Sequence, residues 1–235
     1  MSLEDAKTQV DLAFVRKDLR GLAFENAFGG ATSFLRRRYT KDLTGVDLVV
    51  TGVPFDQAVT HRAGARFGPR AIREASALQP FDLPYGWGFD PLGEFAVVDY
   101  GDLAFDYAKT ADFPDTLTAH IRGILAAGPG TVTLGGDHFI SLPILKAYAE
   151  TSGPVSFIQF DAHSDLWPDD DFTRIDRGTF MYKAVRQGYV DPATSVQIGI
   201  RTDLQDYLGG AGHRRPRGAR GGGRRRRGAG QVHRR

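Results

Sequence analysis

The stretch Thr131-Val132-Thr133-Leu134-Gly135-Gly136-Asp137-His138, taken with Val155-Ser156-Phe157-Ile158-Gln159-Phe160-Asp161-Ala162-His163-Ser164-Asp165, decides the fold. In each, a short run of apolar and β-branched residues bounded by Gly or Pro leads directly into acidic and histidine side chains. Such runs read as buried parallel strands. The chemistry then sits where the strands end, in the crevice that loops line and helices leave open in α/β sheets. Working outward, Val46 to Thr51 and Glu94 to Asp99 read as further strands. Gly68 to about Ala77, Asp112 to Ala127 and Ile140 to Glu150 read as helices, the first opened by Pro69 and the second stopped by Gly128-Pro129. Strands alternating with helices give an α/β class, three-layer α/β/α around a mainly parallel sheet. With 235 residues, 41% of them hydrophobic, one sizeable core is expected.

Alternation along an extended chain sets Asp161, His163 and Asp165 on one side, and a loop leaving the strand converges them equally well. Two carboxylates and an imidazole suit Mn²⁺, Zn²⁺ or Fe²⁺, and the absence of cysteine argues against a thiolate site. Paired cations share a bridging carboxylate and activate water at neutral pH, and Asp161 is the natural bridge. A lone Gly-Gly-Asp-His is more often a turn with a helix-capping Asp. The second run, after its own strand, reverses that balance.

Several phrases in order carry a family resemblance: Gly52-Val53-Pro54-Phe55-Asp56, Arg62-Ala63-Gly64-Ala65-Arg66-Phe67-Gly68-Pro69-Arg70-Ala71-Ile72-Arg73, Gly135 to Pro143, Phe160 to Asp165, and Ser195-Val196-Gln197-Ile198-Gly199-Ile200-Arg201. From about Asp47 to Tyr207 the chain resembles the ureohydrolases, the arginase and agmatinase family, and most closely the bacterial agmatinases. The resemblance implies an arginase-like fold and a binuclear Mn²⁺ enzyme that hydrolyses a small cationic guanidino substrate, agmatine to putrescine and urea, with homo-oligomers among intact members. Carried across by motif, His138 and Asp165 bind one manganese, His163 the other and Asp161 both, Asp161 also positioning the attacking hydroxide. The family's remaining ligands, an Asp-x-Asp pair on a later strand, have no counterpart here, since the last acidic residue is Asp206. The expectation is therefore at most one tightly bound Mn²⁺, little urea release, and a fold incomplete at the C-terminus. In Arg174-Ile175-Asp176-Arg177-Gly178-Thr179, Arg177 stands where the resemblance puts a proton-shuttling histidine. An imidazole exchanges protons near neutrality, whereas a guanidinium stays charged and repels a cationic substrate. An exposed loop arginine is the plainer alternative.

Composition divides the chain into an N-terminal arm at 1–45, a partial arginase-like domain at 46–208 and an Arg/Gly-rich tail at 209–235. Ten of the 30 basic residues fall between Gly212 and Arg235, with no acidic residue among them. The rest of the chain holds 20 basic against 28 acidic residues, a balance of −8 within a chain at +2. Such a tail cannot bury enough apolar surface to offset ordering entropy, so disorder is expected. We read it as an out-of-frame translation: with CGN arginine codons, the second nucleotide of the His213 codon opens a frame permitting Ile-Asp-Ala-Arg-Glu-Val-His. Binding of nucleic acid through the arginines is the weakest reading, because no aromatics are interleaved for stacking.

A non-catalytic truncated relative and a guanidinobutyrase-type specificity are the remaining alternatives. Asp169-Asp170-Asp171 would favour a cationic substrate tail, while His61, Arg62 and Arg66 would favour a carboxylate. In the arm, Phe14, Leu19, Leu22, Phe24 and Phe28 suit packing on a neighbouring subunit or a local lid. No apolar run is long enough to span a bilayer, the acidic start lacks a signal-peptide profile, and the absence of Cys fits a cytoplasmic protein. No phosphate-binding glycine loop or organic cofactor site is expected.

Overall fold

Val49, Val50, Thr51 and Val53 are β-branched, and in strand β2 (Leu48–Val53) every residue after Leu48 is buried. A strand buried on both faces needs a layer on each side. The computed structural model, which describes residues 12–22, 26–78 and 83–202, supplies both. β2 lies inside a four-stranded parallel sheet ordered β1-β3-β2-β4, with β1 at Arg38–Tyr39, β3 at Val97–Asp102 and β4 at Gly130–Gly135. Among the short helices, α1 is Leu12–Val15 and α3 is Pro91–Glu94; the longer ones are α2 (Gly68–Ser76), α4 (Phe113–Ala126), α5 (Ser141–Ser152) and α6 (Phe180–Arg186).

On one face, Val49 packs with Ile124 and Val53 with Phe113, Leu117 and Ile121. These α4 residues recur at helical spacing and form one apolar stripe. Leu117 and Ile121 are fully buried, each contributing about 1.5–3 kcal/mol. α5 packs on α4, and α6 on α5. On the opposite face Val50 clusters with Leu92, Val97 and Leu134, and α2 crosses beside them. The approach of α2 is close at Gly52, where a Cβ would come within 2.8 Å of Pro69 Cβ. Arg73 of α2 reaches the sheet as a buried cation, its Nε 2.7 Å from Asp99 Oδ2 and its NH1 2.5 Å from Asp102 Oδ1. Burial alone would lower the Arg73 pKa, but the bonds to Asp99 and Asp102 reverse it to a rise.

The α/β architecture with a parallel sheet expected from the sequence is present, and two features of it bear on the site. First, part of the 1–45 stretch touches the sheet and its apolar clusters. Arg38 and Tyr39 pair with Val98 and Asp99 to add an edge strand, and Leu19 and Leu22 pack on the apolar clusters. Phe14 and Phe28 are exposed, while Phe24 lies outside the described residues. Second, the two runs that lead to the site do not share one sheet. β5 is only Ile158–Phe160, and among the described residues it pairs with β6 (Val196–Ile198) alone, Ile158 opposite Val196 and Phe160 opposite Ile198.

Nor is β5 buried as expected. Gln159 faces inward, while Ile158 is 65% and Phe160 79% exposed, because no described element covers that face. The tail at 209–235 and the end of the 46–208 domain lie outside the described residues. No helix among the described residues is long and apolar enough to cross a membrane.

Candidate functional site

Gly136 (φ 80°) turns the chain as it leaves β4, and a Cβ there would lie 2.8 Å from the Phe55 carbonyl oxygen. Glycine alone suits that position. The following Asp137 is a capping group, its carboxylate accepting from Phe139 N at 2.9 Å and Ala58 N at 2.9 Å. Burial raises its pKa in spite of those two donors. One residue on, the His138 ring packs against Phe180, the centroids 4.5 Å apart.

Asp161 and Asp165 leave β5 from the other sheet. His138 Nδ1 lies 2.8 Å from Asp165 Oδ2 and 3.2 Å from Asp161 Oδ2. One donor atom from each of the three lies within 4.8 Å of the others. Asp165 Oδ2 is buried and receives no hydrogen bond, so its approach to the imidazole lacks the alignment of N–H donation. A nitrogen and two carboxylate oxygens that crowd together without bonding each other fit a divalent cation such as Mn²⁺, Zn²⁺ or Fe²⁺. Asp165 holds φ 52°, in the left-handed region that costs a non-glycine residue about 1–2 kcal/mol. Its carbonyl oxygen is fixed by Met181 N at 3.1 Å and Tyr182 N at 3.3 Å, the opening of α6.

Burial alone would push the Asp161 carboxyl upward. The His163 N–H at 2.9 Å, the Gln159 amide at 3.2 Å and the His138 ring together hold it below the ordinary carboxylate value. Gln159 is in turn gripped by Gln197, whose Nε2 donates to Gln159 Oε1 at 2.6 Å and to the Ser164 carbonyl oxygen at 2.7 Å. Sequence reasoning passed over this pair. Its signal was present as glutamines in the middle of two runs of β-formers, in register across β5 and β6. His163 stands apart from the three-donor group. Its ring is 66% exposed, with Nδ1 3.5 Å from Asp161 Oδ1, the carboxylate oxygen turned away from His138.

These groups border a cavity of about 640 Å³ whose lining includes Thr60, His138, His163, Asp165, Trp167 and Arg177. Arg177 thus faces the site, its NH2 donating to Thr60 Oγ1. The acidic run beyond is already engaged: Asp169 pairs with the buried Lys183 at 2.9 Å, Asp170 accepts from Tyr182 OH at 3.0 Å, and Asp171 caps Thr173 N at 3.0 Å. Arg66 binds Asp56 and lines a separate cavity of about 300 Å³. His61 and Arg62 are exposed and line neither.

Residues 46–214 match the arginase family. The chain belongs to that family. It is 47% identical over 208 residues to an agmatinase of Chromobacterium violaceum, covering 88% of this chain and 65% of that one. Among solved structures, a hypothetical agmatinase from Burkholderia thailandensis superposes with a TM-score of 0.82 at 49% identity, covering 85% of this chain and 64% of that chain. A proclavaminate amidino hydrolase from Streptomyces clavuligerus gives 0.72 at 33% identity, with 80% and 62% covered. This arginase-family chain therefore spans a little under two thirds of the length of these three relatives.

Proposed function

We propose that the cavity at the ends of β4 and β5 is the hydrolytic site of an agmatinase-type ureohydrolase, which cleaves a small guanidino compound to urea and an amine, as agmatine to putrescine. The observation that carries this is the meeting of His138, Asp161 and Asp165, with a buried oxygen left without a hydrogen bond, at strand ends of a chain akin to agmatinases. His138 Nδ1, Asp165 Oδ2 and Asp161 Oδ2 would hold one manganese. Asp161 Oδ1 faces His163 and would bridge to a second position that has only those two donors among the described residues. When bound, such a cation supplies Lewis acidity and a lowered pKa for water.

The protein's own groups do the rest. Asp161 is kept ionised by its three neighbours, and Gln159 fixes its orientation. Arg177 keeps its charge at neutral pH and cannot relay protons as an imidazole does. Homo-oligomeric assembly, a cytoplasmic location and the division into arm, domain and tail belong to the same reading.

Calorimetric titration with Mn²⁺ tests it. The expected result is about one tightly held cation, lost in Asp165→Asn, with little urea released from agmatine. Absence of uptake would refute the metal site; two tight cations with ordinary turnover would refute the weak second position.

A further inference from the structure

We propose that Arg177 serves not at the reacting bond but along the substrate's tail, and selects an ω-guanidino carboxylic acid over a guanidino amine; the inference keeps the hydrolytic site of the reading above and replaces its agmatine. The charges lining the cavity can be paired off one by one. Asp165 stands against His138, Asp169 is bound by Lys183 at 2.9 Å, and Asp176 takes Arg174 at 3.2 Å. Arg177 is left over. Its hydrogen-bond partner is the neutral Thr60 hydroxyl, no carboxylate among the described residues lies within ion-pair distance, and the buried Asp137 carboxylate, which already accepts from Ala58 and Phe139, acts on it only at longer range.

Its place on the wall matters as much as its charge. The turn Arg177–Thr179 leads directly into Phe180, whose ring rests on His138, so the free guanidinium and the donor cluster share one cavity of small-molecule size. A guanidinium presents its N–H groups as a planar fork that matches a carboxylate, and only NH2 is engaged with Thr60. A substrate whose guanidinium lies beside the donor cluster has this fork within the same cavity for its tail. A carboxylate there gains a cation in ion-pair reach, whereas an ammonium meets a like charge.

The alternative readers of a tail are occupied. Asp170 and Asp171 do not line the cavity and already accept hydrogen bonds, and Arg66 is held by Asp56 elsewhere. The tail specificity that sequence reading divided between an acidic run and His61, Arg62 and Arg66 falls on Arg177 instead.

The test is calorimetric titration of the full chain with 4-guanidinobutanoate and with agmatine, each with and without Mn²⁺. Wild type is compared with Arg177→Gln and Arg177→Lys. The expected result is that wild type binds the acid at least about tenfold more tightly than agmatine, that the glutamine variant loses the preference, and that lysine restores part of it. Equal or tighter agmatine binding overturns the inference, as does a preference that survives in Arg177→Gln, or no binding of either compound. The wild-type comparison decides even where a variant fails to fold. Acid binding that depends on Arg177 but ignores Mn²⁺ would uphold this subsite while refuting the hydrolytic reading.

Discussion

Replacing Gln159 by leucine removes the group that ties the strand interior to the site. Gln159 is 4% exposed, and its Nε2 donates to Asp161 Oδ2 at 3.2 Å and to the His163 carbonyl oxygen at 3.4 Å. Its Oε1 accepts from Gln197 at 2.6 Å. Leucine has similar bulk, so the cavity term stays small. A hydrogen bond to a charged group is worth about 1.5–3 kcal/mol and a neutral one about 0.5–1.5. The bond to Asp161 is long and so falls at the low end, and Gln197 keeps the Ser164 carbonyl oxygen at 2.7 Å. A loss of about 2 kcal/mol in urea unfolding follows. Under the proposed metal site, Mn²⁺ affinity falls about 10–100-fold as well, because a partner that orients a ligand has gone. The two readouts are independent, since the first needs no cation. Gln159→Leu with wild-type unfolding and wild-type affinity would refute the claim that this amide sets Asp161.

Arg73→Met leaves Asp99, fully buried, without its cation, and stability should fall by about 3–5 kcal/mol in the same unfolding assay. Arg73→Met combined with Asp99→Asn should recover part of it; a single variant as stable as wild type would show the pair to be idle. The hydrogen bond from Arg66, aided by the Gly64 and Arg66 N–H groups, holds Asp56 below the ordinary carboxylate value despite burial. Its contribution is therefore complete above about pH 4 and lost as pH falls through the depressed folded value. Acid unfolding of wild type should accordingly be steeper than that of Arg66→Gln, and identical pH profiles would contradict this.

Much of the frame could be read from residue order. The helices at Phe113–Ala126 and Ser141–Ser152 carry apolar spacing and clear stops, and β4 leads into Gly-Gly-Asp-His as its composition implies. Convergence of His138 with Asp161 and Asp165 was legible because strand ends in this class gather at one edge. The exposure of Ile158 and Phe160 was not, since a run of β-formers does not announce whether anything covers it. Edge strand β1 has only two residues and is set by tertiary pairing rather than local pattern. Buried charges such as Arg36, Arg37 and Lys183 were equally hidden, because burial of a long cation depends on carbonyl and carboxylate partners distant in sequence. Of the two places the sequence left open for Arg177, beside the site or on an idle loop, the cavity lining favours the first.

The separation of the two sheets gives the donor cluster a mechanical meaning. No backbone ladder among the described residues joins β4 to β5, and the helices α4, α5 and α6 hold the halves together from one side. His138 belongs to one half, Asp161 and Asp165 to the other. A cation gripped by all three would be a clasp across an open joint, adding about 2.7 kcal/mol to the folded state at a hundredfold excess over its dissociation constant. Chelation would then loosen the whole molecule, and the rigidity of this chain would follow the divalent ion content of its surroundings.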